Sequence, residues 1–156
     1  MTQSDEATKG GAMKVQNWSH LTMVVSDMDR SLDFYKDILG FEVLFDVNLE
    51  GPDLETMVGT AGAKGRMVGG LLGGSRVELL CFEHPKYEKT PQGLGYGNMS
   101  LRVDDAAAAY ATAKRMGIPT GSEPVDIVGH KMFMVLDPDG TEIEIVQYPP
   151  EAGGWE

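Results

Sequence analysis

The stretch HLTMVVSDMDRSLDFYKDILGF, residues 20–41, decides the fold, because the chain repeats its pattern as NMSLRVDDAAAAYATAKRMGI at residues 98–118. Each copy contains an alternating strand, an acidic turn, an amphipathic helix, and a glycine followed by a hydrophobic residue. Each is followed by a later strand centred on a glutamate, Glu78 in the first half and Glu144 in the second. A repeat of this length indicates a duplicated supersecondary unit. The sequence therefore predicts two modules of the same fold.

The first module is predicted to have the order βαβββ. Its first strand begins at Trp18, and its helix follows Asp27 as N-cap and ends at Gly40. The later strands are expected at residues 41–48, 64–72 and 75–82, with a loop or short helix over 51–65. Gly73 and Gly74 join the last two strands as a tight hairpin, because glycine readily adopts the positive φ angles of such a turn.

The second module repeats this order. A strand to Val103 and a helix over residues 105–116 are followed by strands within 120–128, at 131–136 and at 141–148. Asp137-Pro138-Asp139-Gly140 has the signature of a type I turn. We predict an α+β fold with two tandem βαβββ modules that form a cup-shaped half-barrel sheet, at about residues 18–83 and 97–148 of one domain spanning 15–149. Residues 1–14 and 150–156 are expected to be tails, and residues 84–97 a linker.

The composition excludes several classes of function. The chain has 156 residues, which fits one domain, and its single cysteine, Cys81, cannot form an internal disulfide, as expected in a reducing compartment. A net charge of −11 argues against nucleic acid or an anionic membrane as a partner. No apolar run approaches the roughly 20 residues of a membrane helix, and the N-terminus lacks a signal-peptide pattern. We expect a cytoplasmic protein with a small-molecule substrate.

Four side chains occupy equivalent places in the two modules. His20 and Asn98 open the first strands, while Glu78 and Glu144 lie at equivalent points of the last strands. If each module forms half of a cup, these side chains meet inside it as a first shell for a divalent cation. An oxygen-rich shell favours Mn, Mg, Fe(II), Co or Ni over a structural zinc.

The chain resembles the vicinal oxygen chelate superfamily, which includes glyoxalase I, methylmalonyl-CoA epimerase, fosfomycin resistance proteins, extradiol dioxygenases and bleomycin-binding proteins. The stretches SHLTMVVSDMDRSLDFYKDILGF, VELLCF, GNMSLRVDD and DPDGTEIEIVQ carry the resemblance, which spans roughly residues 18–148. It implies paired βαβββ modules in a glyoxalase-like fold, a metal ion in the cup, and substrates that chelate the metal through two neighbouring oxygens. It also implies a homodimer, in which strands of two subunits sometimes complete each cup.

By this resemblance His20, Glu78 and Glu144 match the first, second and fourth metal ligands, and Asn98 stands where the third is usually histidine. A neutral amide is a weaker ligand than imidazole for transition metals. The substitution argues against ring-cleaving dioxygenase chemistry. It also implies a lower metal affinity, a shift toward Mn or Mg, or the loss of the metal. The expected cofactor is one divalent ion among Mn, Fe(II), Co, Ni, Mg and Zn.

Three further side chains are candidates for substrate binding. Arg76 and Arg102 share the strand parity of the ligand candidates on their own strands, so an arginine could receive a substrate carboxylate or phosphate. The alternatives are ordinary surface charge and an Arg102–Glu142 ion pair. His130 lies beside a predicted strand end, where it could replace the missing ligand or act as a base.

The leading functional hypothesis is a metal-dependent lyase or isomerase of the glyoxalase-like type. In this mechanism the cation stabilises an enediolate or enolate, and Glu144 or Glu78 transfers the proton. Two alternatives remain. The first is a non-enzymatic binder of the antibiotic-sequestering kind, which Asn98 favours and the retained His20 and glutamates oppose. The second is metal-assisted addition to an epoxide, for which the chain does not supply the usual pair of histidines.

Overall fold

Two four-stranded sheets form the structure, one from each copy of the repeated pattern. The computed structural model describes residues 19–88, 98–127 and 129–150. The predicted tails lie outside these ranges apart from Pro150, as do Trp18 and residues 89–97 of the predicted linker. Within the described ranges, no helix has the length and apolar character needed to cross a membrane.

Module 1 has the predicted order with one added helix. Its elements are β1 (Leu21–Val24), α1 (Met28–Asp37), β2 (Glu42–Glu50), α2 (Pro52–Val58), β3 (Lys64–Leu72) and β4 (Ser75–His84). The sheet order is β1-β4-β3-β2, with β1 parallel to β4 and the other pairs antiparallel. The segment expected to be a loop or short helix thus contains α2.

Module 2 repeats this topology. Its elements are β5 (Met99–Arg102), α3 (Ala106–Arg115), β6 (Val125–Ile127), β7 (His130–Leu136) and β8 (Glu142–Gln147). The sheet order is β5-β8-β7-β6, and β5 again runs parallel to β8. The predicted α+β fold with two βαβββ modules is confirmed, and both sheets are open.

Local sequence signals set the ends of the elements. The Asp27 carboxylate accepts a hydrogen bond from the Arg30 backbone N–H at 2.9 Å, and Asp105 accepts one from Ala108 at 3.0 Å. Both aspartates satisfy backbone donors that a helix start leaves without partners. The β3–β4 hairpin contains Gly73 at φ 57° and Gly74 at φ 82°, as predicted.

One hydrophobic core runs through both modules. Along each strand, alternate side chains point toward the helices, and these residues are buried. The buried strand residues of this core include Val68, Leu72, Val77, Leu79, Phe133, Val135, Ile143 and Ile145. The opposite face of each sheet, here called its cup face, carries Thr22 and Glu78 in module 1 and Ser100 and Glu144 in module 2.

The two modules also meet through polar contacts at one turn. The carboxylate of Asp139, in the β7–β8 turn, accepts hydrogen bonds from the Ser26 backbone N–H at 2.9 Å, from Arg30 at 3.0 Å and from the Ser26 hydroxyl. The buried Tyr35 hydroxyl donates to Asp137 in the same turn at 3.0 Å. The turn of module 2 is therefore fixed against the β1–α1 connection of module 1.

Replacing Tyr35 with phenylalanine removes the donor to Asp137 without removing the ring. Because a buried carboxylate then loses a partner, we expect the free energy of unfolding in urea to fall by about 1–3 kcal/mol. Tyr110→Phe is the matched control, since Tyr110 is only partly buried and its ring packs edge-on against Phe133. Equal stability of Tyr35→Phe and the wild type would contradict this account of the module contact.

Candidate functional site

A histidine and a glutamate form a close pair on the cup face of module 1. The imidazole Nε2 of His20 lies 3.3 Å from Oε2 of Glu78, and the Thr22 hydroxyl donates to the same oxygen at 3.2 Å. Parallel pairing of β1 with β4 places Thr22 directly beside Glu78, and His20 immediately precedes β1. The Ser19 hydroxyl lies 2.9 Å from the other imidazole nitrogen of His20.

Module 2 carries the equivalent arrangement. Ser100 pairs in register with Glu144, and its hydroxyl donates to Oε1 of Glu144 at 2.6 Å. Asn98 immediately precedes β5, just as His20 precedes β1, and is half-buried. The two modules therefore each carry a half-site, His20–Thr22–Glu78 and Asn98–Ser100–Glu144.

Thr22 and Ser100 were not predicted from the sequence as part of the site. The signal was present, because each lies two residues after a candidate ligand and so shares its side of the strand. Their role depends on the register between strands that are far apart in sequence, which a single-strand pattern does not give. Each hydroxyl orients one carboxylate oxygen on the cup face.

The expectation that the four candidate side chains meet in one group within the chain is not met. Among residues 19–88, 98–127 and 129–150, no group of three or more His, Cys, Asp or Glu side chains is close enough to hold a metal ion. The polar contacts between the modules instead join the β7–β8 turn to the β1–α1 connection. His20 and Glu78 lie together, and Glu144 lies apart from them.

The donor atoms of the module 1 half-site suit a divalent cation. Ligand atoms that bind such an ion at about 2.0–2.2 Å lie about 3 Å apart when they occupy adjacent positions. The 3.3 Å between the imidazole nitrogen of His20 and the Glu78 oxygen is close to this spacing. One imidazole and one carboxylate make half of a first shell, and Glu144 with Asn98 could supply the other half.

Arg102 and His130 both lie beside Tyr148. The guanidinium carbon of Arg102 is 4.7 Å from the centroid of the Tyr148 ring, and the His130 ring meets that ring edge-on at 5.0 Å between centroids. No ion pair joins Arg102 to Glu142 among the described residues. Arg76 is exposed at the start of β4, on the same face as Glu78.

An aromatic ring borders the Glu78 side of the cup face. Phe45 on β2 pairs with Gly69 on β3, and Gly69 pairs with Glu78 on β4. A Cβ at Gly69 would lie 2.1 Å from the Phe45 ring, so the ring rests on the glycine. Phe45 remains 40% exposed, and Val47, which pairs with Met67 on the same face of the sheet, is also 40% exposed. The cup face of module 1 is therefore largely apolar around its polar pair.

A cavity of about 440 Å³ opens next to this face, between the modules. Its walls come from the end of β1, the end of β4 with the segment after it, and the β7–β8 turn. The lining residues are Val24, Val25, Ser26, Phe82, Lys86, Tyr87, Glu88, Asp139 and Thr141.

Arg66 supports the sheet from the face opposite the cup. Its guanidinium donates to the Asp46 carboxylate at 2.7 and 2.9 Å and to Asp29 of α1 at 2.8 Å. The hydrogen bonds from Arg66 lower the pKa of Asp46 below its ordinary value of 3.8, and the two carboxylates raise the pKa of Arg66. These bonds tie β2, the strand that carries Phe45, to helix α1.

The shift at Asp46 predicts a pH dependence. A carboxyl whose folded pKa is lowered stabilises the fold above its unfolded pKa, and this contribution is lost as the pH falls through the folded value. We expect Arg66→Met to lower stability at pH 7 by about 1 kcal/mol or less, since the pair is largely exposed. The difference from wild type should shrink in urea unfolding below pH 3.8.

Arg115→Met is the control for this experiment, because Arg115 donates to the Thr112 hydroxyl at 3.3 Å and forms no ion pair with a carboxylate of the described residues. Its effect on stability should be independent of pH. A difference between Arg66→Met and wild type that stays constant from pH 7 to pH 3 would contradict the assignment.

Comparisons with known proteins agree on one family. Residues 18–145 match the family model described as the Glyoxalase/Bleomycin resistance protein/Dioxygenase superfamily. A lactoylglutathione lyase from Haemophilus influenzae is 28% identical over 130 residues, covering 82% of this chain and 90% of that protein. A probable lactoylglutathione lyase from Vibrio cholerae is 30% identical over 141 residues, covering 88% and 94%. The crystal structure of a glyoxalase family protein from Bacillus cereus matches with a TM-score of 0.77 at 19% identity, covering 88% and 97%.

Proposed function

The chain belongs to the glyoxalase/bleomycin resistance protein/dioxygenase superfamily, and on that premise we propose that it is a metal-dependent lyase or isomerase of a small carbonyl compound. The observation that carries the proposal is the pair of equivalent half-sites on the two cup faces, each with a glutamate oriented by a hydroxyl. The names of the relatives, lactoylglutathione lyase and probable lactoylglutathione lyase, support a lyase. The reaction type that we propose is proton transfer next to a carbonyl group.

The complete site is proposed to form between two copies of the chain. His20 and Glu78 of one copy would face Asn98 and Glu144 of a second copy, because Glu144 does not join the first pair within the described part of one chain. The apolar residues exposed on β2, including Leu44 at 65%, favour burial against another subunit. A symmetric homodimer would then contain two identical sites.

The metal ion would be held by His20, Glu78 and Glu144, with the Asn98 amide oxygen as a weaker fourth ligand. When bound, the ion polarises the substrate carbonyl and stabilises the negative charge that develops on it. The neutral amide favours a hard ion such as Mn or Mg within the expected set.

Glu144 is proposed as the base. Its Oε1 accepts the Ser100 hydroxyl, and its other oxygen makes no hydrogen bond among the described residues, so that oxygen is positioned to take a proton from the substrate carbon. Glu78 also keeps one oxygen without a hydrogen bond among the described residues, but its Oε2 lies 3.3 Å from the His20 imidazole, so we assign Glu78 to the metal ligands alone. Glu144 then returns the proton to the neighbouring carbon of the substrate. Phe45 and the apolar cup face would limit access of water to this step.

A non-enzymatic binding protein is the second candidate. The observation in its favour is Asn98, which replaces an ionisable imidazole with a neutral amide. A cup that binds a ligand without metal would need only the apolar face and its polar pair. Metal content separates the two candidates.

Metal analysis of protein purified without chelator or nickel affinity resin should show a nearly stoichiometric divalent ion. His20→Ala and Glu144→Ala should each lose it, since each removes a charged or imidazole ligand. Glu83→Ala is the control, because Glu83 is exposed and pairs with Lys64 at 2.9 Å. Absence of metal after reconstitution with Mn, Fe(II), Co, Ni or Zn would contradict the proposed enzyme and favour the binding protein.

Co-expression of the two metal-free variants tests whether the site is shared. In a random mixture of His20→Ala and Glu144→Ala chains, half of the dimers are mixed, and each mixed dimer has one intact site. About a quarter of the wild-type metal content should therefore return. No recovery, with mixed dimers isolated by two affinity tags, would place each site within one chain.

A further inference from the structure

Arg102 lies on the cup face of module 2. It ends β5, where it pairs in register with Val146, immediately beyond the Ser100–Glu144 pair. The equivalent position in module 1 is Val24, which pairs with Leu80. The duplicated fold thus carries an apolar side chain at this place in one module and a guanidinium in the other.

The guanidinium of Arg102 is held by an aromatic ring. It lies over Tyr148 at 4.7 Å from the ring centroid, and His130 packs against the edge of the same ring at 5.0 Å. Stacking fixes the plane of a guanidinium and leaves its N–H edge available for two parallel hydrogen bonds to a carboxylate or phosphate. Arg102 is also exposed, so a ligand can reach this edge.

No carboxylate of the described residues occupies that edge. Arg30 and Arg66 each form an ion pair with a carboxylate, whereas Arg76, Arg102 and Arg115 form none among the described residues. Of these three arginines, Arg102 is the one whose guanidinium lies over an aromatic ring within the described part of the chain. The nearby Glu144 is instead bonded to Ser100.

The position of Arg102 on β5 sets its distance from Glu144, the proposed base. Arg102 lies two residues beyond Ser100 on the same side of β5, which corresponds to about 7 Å along the strand. Ser100 in turn lies beside Glu144. A ligand that spans both points carries its anionic group about 7 Å from the atoms that face Glu144.

We propose that Arg102, held in place by Tyr148, binds a carboxylate or phosphate of the substrate, so that the substrate is an anionic carbonyl compound. The role of the carbonyl rests on the proposed function, whereas the capture of the anion does not require the metal. Arg102 determines specificity, and Tyr148 is a positioning residue.

The test uses benzohydroxamate, which chelates metals through two adjacent oxygens, and its derivatives with a carboxylate or a phosphate at the para position. Binding to the metal-loaded protein is measured by calorimetry. We expect an anionic derivative to bind about 10- to 100-fold more tightly than the parent, as for a charge-assisted hydrogen-bonded pair. The derivative with the larger gain identifies whether the anion is a carboxylate or a phosphate.

Substitutions assign this preference to one residue. Arg102→Met should abolish the preference for the anionic derivatives. Arg102→Lys should retain only part of it, because an ammonium lacks the planar pair of donors of a guanidinium. Tyr148→Leu should also retain only part of it, because the guanidinium loses the ring on which it is stacked. Arg115→Met, which removes an exposed arginine from helix α3, should retain it in full. Equal binding of all three ligands to the wild type, or a full preference in Arg102→Met, would overturn the proposal.

A second measurement separates this proposal from the proposed reaction. Phenyl phosphate and benzoate are titrated into metal-free protein while the side-chain NMR signal of the Arg102 Nε–H is followed. A saturable shift, absent in Arg102→Met, supports anion capture even if the protein binds no metal. If neither anion causes a shift and the loaded protein shows no preference, Arg102 is not an anion receptor.

Discussion

The parallel pairing of the first and last strands of each module is the constraint on which the site depends. It places Thr22 beside Glu78 across 56 positions of sequence and Ser100 beside Glu144 across 44. Because side chains alternate along a strand, the same register decides which residues point into the core and which face the cup. A slip of one residue would bury both glutamates and expose the core side chains of β4 and β8. The hydrophobic core therefore stabilises the orientation of the chemical groups as well as the fold.

Most of the fold could be predicted from local patterns. Asp27 and Asp105 mark helix starts by hydrogen bonds that span only three residues, and Gly73 with Gly74 marks a hairpin by backbone geometry alone. The site was harder to predict, because its residues are brought together by contacts between segments that are distant in sequence. The sequence indicated that His20 and Glu144 occupy equivalent positions, but it did not indicate how the modules dock. That docking depends on the hydrogen bonds of Asp139 and Asp137.

Duplication gives the two modules the same backbone arrangement, and the side chains that differ between them make the proposed site asymmetric. In module 1 Gly69 leaves room for the Phe45 ring beside Glu78, whereas in module 2 Met134 pairs with Glu144. His20 in module 1 corresponds to Asn98 in module 2. A site that joins module 1 of one chain to module 2 of another would have the Phe45 ring and the His20 imidazole on one side, and Met134 and the Asn98 amide on the other. Such asymmetry allows a ligand to be bound in one orientation.

The bond between Tyr35 and Asp137 connects residues that are made at very different times during synthesis. Module 1 has all of its strands once His84 has left the ribosome, so its sheet and helix α1 can assemble early. The partner of the Tyr35 hydroxyl in the β7–β8 turn is translated more than fifty residues later. During that interval the Tyr35 hydroxyl has no Asp137 carboxylate to which it could donate. The hydrogen bond that joins the two modules at Tyr35 can therefore form only after the β7–β8 turn has been made.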